Sequence, residues 1–190
     1  LKVPSTPANP EIGVLQGVDE LSLDWTTVNE VLHGSTVGTN AVLERQGVPT
    51  ALLVTEGFRD ILEIQRGDKE NIYDIFYQRP QPLVPPNRVF PVRERMAFDG
   101  TILEELDTDQ VALIASRLKE MGIVSVAISF LHSYANPAHE EQAKEVILKN
   151  APGLLVLTSS ELLPQFREYE RTSTTVMSAY IAPIMTRYVE

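Results

Sequence analysis

The sequence predicts an α/β domain: a parallel or mixed sheet with flanking helices. Three observations carry this. Apolar runs at residues 50–55 and 123–131 lack the polar alternation of a half-wet strand and suit strands buried on both faces. Segments with helical stripes and recognisable caps alternate with those runs. Strand, helix and strand follow one another in under about 30 residues, the spacing of a βαβ unit with a right-handed crossover.

Composition bounds the rest. The chain has 190 residues, 43% of them hydrophobic and 22% charged, enough to build one packed domain. A net charge of -10 argues against nucleic-acid binding, which needs a basic footprint. The absence of cysteine excludes disulfides, thiol nucleophiles and cysteine metal sites, and fits a cytoplasmic protein. No apolar run is long enough to span a membrane. The first residue is not methionine, and the last residues read as mid-helix, so a piece of a longer polypeptide is expected.

Taken in order, Asn9-Pro10-Glu11 starts a helix with an N-cap, a proline at the first helical position and an acid in the first turn. Ile12, Leu15, Val18 and Leu21 supply its apolar stripe. Trp25 is expected to cover an edge of the core. Residues 28–32 read as a short strand running into His33-Gly34-Ser35-Thr36-Val37-Gly38-Thr39-Asn40, and a helix over 37–46 ends at Gly47. Ser35 or Thr36 can cap that helix, and its free N–H groups suit an anion. A plain capped turn is the simpler reading of these eight residues taken alone.

After the strand at 50–55 come Gly57, Phe58, Arg59 and Asp60, at the carboxyl end where open parallel sheets bind ligands. An exposed Arg59–Asp60 pair at a helix start is the competing reading. Residues 66–91 hold Tyr73, Phe76 and Tyr77 and a proline-dense stretch from Arg79 to Pro86, which predicts an extended arm. Residues 88–97 alternate, with Arg93 and Arg95 on one side and Phe90, Val92, Glu94 and Met96 on the other. With the Asp99-Gly100 turn and residues 102–106 they read as an inserted β-hairpin.

Asp107 caps a helix over 108–121 that stops at Gly122. A further helix starts at Asn136-Pro137 and runs to Lys149, with Ala138, Ala143, Val146 and Ile147 inward. His132 and His139 lack an acidic ligand at a recognised offset, so hydrogen-bonded turn histidines are expected rather than a metal site. Residues 154–157 form a third strand. A long helix starts at Gln165, with Phe166, Tyr169, Val176, Tyr180 and Ile184 on one stripe and Arg167, Glu170 and Arg171 in surface ion pairs. Its Ser/Thr bunch at 172–178 points to tight packing or to a polar ligand.

Four stretches together carry a resemblance: residues 33–40; Thr55-Glu56-Gly57-Phe58-Arg59-Asp60; Phe130-Leu131-His132-Ser133-Tyr134-Ala135-Asn136-Pro137-Ala138-His139-Glu140; and Arg167-Glu168-Tyr169-Glu170-Arg171-Thr172-Ser173-Thr174-Thr175. In this order they resemble the N-terminal region of the hydantoinase A/5-oxoprolinase family across nearly the whole chain. Ser35, Gly38 and Gln165 depart from the residues common there, and Gln165 removes a possible carboxylate. The resemblance implies an actin-like, sugar-kinase-like ATPase fold, with 1–190 one domain and 66–106 an arm plus hairpin within it. It implies ATP and Mg²⁺ as cofactors, bound mainly by an Asp-x-Gly-Gly-Thr phosphate loop that would precede Leu1 and by a second half of the polypeptide. It also implies a small cyclic amide as substrate and a hydantoinase B-type partner subunit.

The activity implied is opening of a hydantoin or 5-oxoproline ring by phosphorylation of its carbonyl oxygen. An acetone carboxylase-type subunit and a non-catalytic assembly domain docking through residues 73–86 are the alternatives. On this reading His33, Thr36 and Arg59 are the catalytic candidates. Gly34, Ser35, Thr39, Asn40, Asp60, His132, Arg171 and Thr172 line the substrate or nucleotide cleft. No metal ligand set is expected within the chain.

Overall fold

The computed structural model describes residues 1–4, 6, 10–67, 73, 75–78 and 80–189. Its centre is a four-stranded, all-parallel sheet built from β1 (Thr50–Thr55), β2 (Val89–Val92), β5 (Ser125–Ser129) and β6 (Leu155–Thr158), in the order β2-β1-β5-β6. β1 pairs β2 from Leu52↔Val89 to Thr55↔Val92 and β5 from Thr50↔Ser125 to Val54↔Ser129. Both central strands are buried along their whole length, which explains their unbroken apolar character. β3 (Arg95–Met96) and β4 (Ile102–Glu104) form the inserted antiparallel hairpin.

Helices cover both faces. Ala51, Leu53, Val126 and Ile128 pack under α4 (Thr108–Glu120) and α5 (Ala138–Asn150) through Val111, Ile114, Leu118, Ala143 and Ile147. Leu52, Val54 and Ala127 meet Leu62 of α3 (Ile61–Ile64) and Val176 and Ala179 of α7 (Glu168–Val189) on the opposite face. The alternation of strand side chains thus feeds two cores. Asp107 caps α4 by accepting from Gln110 N–H at 2.9 Å, and Gly122 follows it with φ 64°, as its sequence predicts.

Several expectations are corrected. Residues 28–32 form no strand but an irregular segment with Val31 and Leu32 at 64% and 87% exposure, so β1 opens the sheet. α1 (Pro10–Glu20) leaves Ile12, Leu15 and Leu21 exposed, and Trp25 sits in an exposed 3-10 turn instead of covering the core. The expected N-cap Asn9 lies outside the described residues. α2 (Val37–Leu43) stops before Gln46. Gly47 is not its cap; a Cβ there would overlap the Tyr180 ring, so the residue permits close packing.

The stretch read as one hairpin strand splits. Val89–Val92 joins the main sheet as its edge, where Pro91 is tolerated, and only Arg95–Met96 pairs in the hairpin. On the arm, Val84 is fully buried whereas Tyr73 and Phe76 are exposed; Arg79 lies outside the described residues. In α5 the inward residues include His139 and Glu140, while Ala138 is exposed. The long helix begins at Glu168, not Gln165; Phe166 is exposed, and Arg171 lies fully inside the protein instead of in a surface pair. The surface partner is Glu170, which pairs with Arg66.

Candidate functional site

The residues singled out from sequence fall into two places. The first is a groove of about 1010 Å³ between the His33 turn and the carboxyl half of α7, lined among others by His33, Ser35, Thr36, Asn40, Arg187 and Tyr188. His33 Nε2 and the Tyr188 hydroxyl are 2.5 Å apart and join the two walls. Ser35 Oγ accepts from Val37 N–H at 3.2 Å, and Asn40 Nδ2 donates to Thr36 Oγ1 at 3.5 Å. Ser35 therefore satisfies one orphan donor of α2, a helix of only seven residues, and this weakens the expected pull on an anion.

The second place is the carboxyl end of β1 and β5. Arg171 and Thr172, at the start of α7, lie about 25 Å along that helix from Tyr188 at its rise of 1.5 Å per residue. The structure therefore does not bring His33 and Arg171 into one constellation. Thr172 Oγ1 shares a hydrogen bond of 2.8 Å with Ser129 Oγ. Arg59 and Asp60 stand on the exposed loop after β1, where Arg59 Nη2 donates to the Pro86 carbonyl at 3.1 Å. His132 stands on the loop after β5, with Nδ1 at 3.2 Å from the Tyr134 hydroxyl. Its φ of 56° is a left-handed conformation that a residue with a Cβ rarely adopts.

Two groups of buried ionisable residues hold this end, and neither was legible as a group in the sequence. In one, Arg171 Nη1 donates to Ser133 Oγ and to Ser159 Oγ at 3.3 Å, and Nη2 donates to the Phe130 carbonyl at 2.9 Å. Ser159 donates on to Glu140 Oε1 at 2.6 Å, which also accepts from Phe130 N–H at 2.8 Å; Glu140 Oε2 accepts from Ser160 N–H at 2.8 Å. Arg171 and Glu140 are 1% and 0% exposed, so serine hydroxyls connect a cation and an anion that are both out of water. Burial pulls the Arg171 guanidinium below its usual value, opposed by the Glu140 and Glu168 carboxylates.

In the other, Leu131 N–H donates to Thr55 Oγ1 at 2.8 Å, and Thr55 donates to Glu94 Oε1. His139 Nδ1 lies 2.8 Å from Glu94 Oε2 and takes the donor role, because a carboxylate oxygen accepts. The period-2 alternation that buried Phe90, Val92 and Met96 placed Glu94 on the same side, and that was the available clue. Among the described residues no group of three His, Asp or Glu side chains is placed to hold a metal ion, and no helix is long and apolar enough to cross a membrane.

A parallel sheet with helices on both faces defines the α/β class, and in this member of it polar residues gather at the carboxyl end of the sheet. The chain is a member of the hydantoinase/oxoprolinase N-terminal region family, which matches residues 1–151. It is 36% identical to caprolactamase subunit alpha of Pseudomonas jessenii, over 100% of this chain and 29% of that protein. The crystal structure of the ATP-dependent caprolactamase superposes with a TM-score of 0.88 at 35% identity, covering 100% of this chain and 29% of the other. The acetophenone carboxylase gamma subunit of Aromatoleum aromaticum is 32% identical over 95% of this chain and 28% of its own length. The nucleotide-free acetone carboxylase structure superposes at TM-score 0.82 and 25% identity, over 96% of this chain and 29% of the other. The chain thus spans less than a third of these relatives, and its architecture accords with the actin-like ATPase fold that the resemblance implies.

Proposed function

We propose that this chain works within a longer ATP-dependent cyclic-amide hydrolase, partnered by a hydantoinase B-type subunit. The observation that supports this best is its likeness to the caprolactamase alpha subunit, which extends over the whole chain in both sequence and fold. Ring amides resist water, and phosphorylating the carbonyl oxygen turns it into a leaving group. That chemistry depends on positioning and charge neutralisation more than on a nucleophilic side chain.

The groove offers polar groups of the right kind: the Ser35 and Thr36 hydroxyls, the Asn40 amide, the His33 imidazole and the Arg187 guanidinium. It also carries Glu11 and Glu44, and the described residues contain no acidic cluster for Mg²⁺. On this reading the nucleotide and Mg²⁺ contacts fall mainly outside this chain. Its groove is one wall of a cleft whose phosphate and metal contacts come from other parts of the longer polypeptide.

The carboxylase relatives favour a second reading, ATP-dependent carboxylation. One assay separates the two. The longer protein, with its second subunit, is tested for phosphate release with caprolactam, 5-oxoproline, hydantoin, or bicarbonate plus a ketone. Stimulation by a ring amide is expected, with a loss in His33→Ala and Thr36→Val. Stimulation by bicarbonate plus ketone alone overturns the hydrolase reading.

A further inference from the structure

Between the 3-10 turn at Trp25–Thr27 and α2 the backbone runs without a partner. Val28 is extended, with φ -85° and ψ 116°, and its N–H closes the turn on the Trp25 carbonyl. From Asn29 to Gly34 no backbone N–H or carbonyl makes a hydrogen bond among the described residues. Water satisfies those groups while the segment lies exposed on the surface. Its side chains are of another kind, because Val28, Val31 and Leu32 are residues that strands and buried cores favour.

The strands of this chain leave no place for such a strand beside β1. A strand here, followed by α2 and β1, completes a βαβ unit, whose two strands belong to one sheet. β1 already has β2 on one side and β5 on the other, and the segment pairs with neither outer strand, β2 or β6. Side chains alternate along a strand, so Val31 and Leu32 fall on opposite faces. A flat contact with another surface covers only one of them. A strand set within a sheet that has layers on both sides covers both.

Resting on the longer polypeptide proposed above, but not on its chemistry, we infer that residues 28–33 are a docking strand. The partner is a strand from the part of that polypeptide outside this chain. The caprolactamase chain that superposes on all of this one holds it as only 29% of its length, so ample chain is present to supply a neighbour. A second copy is disfavoured as the partner, since each copy carries a net charge of -10. Pairing also has a consequence for the groove. His33 ends the strand and meets the Tyr188 hydroxyl at 2.5 Å, so a sheet fixes the wall that this one side-chain contact otherwise holds.

Hydrogen exchange on the longer polypeptide, purified without its second subunit, tests this. Amides 29–33 are expected to exchange at least about a hundredfold more slowly than in a free peptide of the same sequence. Val31→Asp and Leu32→Asp place a charge on opposite faces, and each is expected to speed that exchange at least about tenfold. Exchange at the free-peptide rate overturns the docking strand. Slow exchange that appears only when the second subunit is added, or that is lost as the protein is diluted to a monomer, overturns the partner by showing a subunit or a second copy in its place. Acceleration in only one of the two aspartate variants overturns a strand covered on both faces. A longer protein whose phosphate release ignores every ring amide overturns the function proposed above, whereas slow exchange in that same protein still supports the strand.

Discussion

The amino-terminal 46 residues and the α/β body that follows are both rich in large apolar side chains, yet they use them in opposite ways. In the first region Leu15, Trp25, Leu32 and Leu43 are 63%, 56%, 87% and 76% exposed; in the second Leu52, Leu53, Ile128 and Ile147 are fully buried. An apolar stripe shows that a face needs a partner, but it does not say whether a partner lies within the same chain. The body buries even its charges, and the described part of the first region buries almost nothing. Stability measured on this chain is therefore stability of the body.

The largest expected effect tests that statement at Arg171. Arg171→Ala leaves Glu140 buried without its cation and Ser133 and the Phe130 carbonyl without a donor, at a cost of about 3–5 kcal/mol. Urea denaturation reads it, and a midpoint close to wild type would show that the group is solvated in solution. Next comes a matched pair. Leu53→Ala should cost about 2–5 kcal/mol as a core truncation. Leu32→Ala, at an exposed position, should stay within about 0.5 kcal/mol. Similar costs at the two sites would break the comparison.

What could be read in advance follows the same division. β1, α4 and β5 were legible because their signals are local: an unbroken apolar run, or a stripe between Asp107 and Gly122. Residues 28–32 carry an equally strandlike pattern and failed because a strand needs a neighbour to pair with, which sequence does not supply. The His33 turn and the loops after β1 and β5 were legible as places. Their separation along α7 was not, because only the fold fixes the distance between motifs. Arg171, Glu140, Glu94 and His139 were least legible as a group. Charged residues are expected at the surface, and their burial follows from partners up to 45 residues away in sequence.

The seam between the two regions gives a smaller effect. Val48 N–H donates to the Tyr180 carbonyl at 3.0 Å, and Gly47 lies against the Tyr180 ring. Gly47→Ala pushes a methyl group into that ring and should cost about 1–3 kcal/mol. In the double variant with Tyr180→Ala the added cost should largely vanish. An additive result would mean that the strain arises elsewhere.

The smallest expected effect belongs to a half-buried cap within the body. The Gln110 N–H, and the Arg93 guanidinium beside it, hold the Asp107 carboxyl below its ordinary range against an opposing effect of burial. Because the folded value lies below the unfolded one, Asp107 contributes stability at pH above the unfolded value. That contribution is lost as pH falls through the folded value. Asp107→Asn keeps a side-chain acceptor for the cap and removes the titration. Asp24, Asp99, Glu161 and Glu170 are also held low, so wild type alone will lose stability in acid for several reasons. The informative quantity is the difference between wild type and Asp107→Asn, which should shrink in urea melts between about pH 6 and about pH 3, the range of carboxyl titration. A constant difference across that range would mean that α4 begins without help from the Asp107 charge.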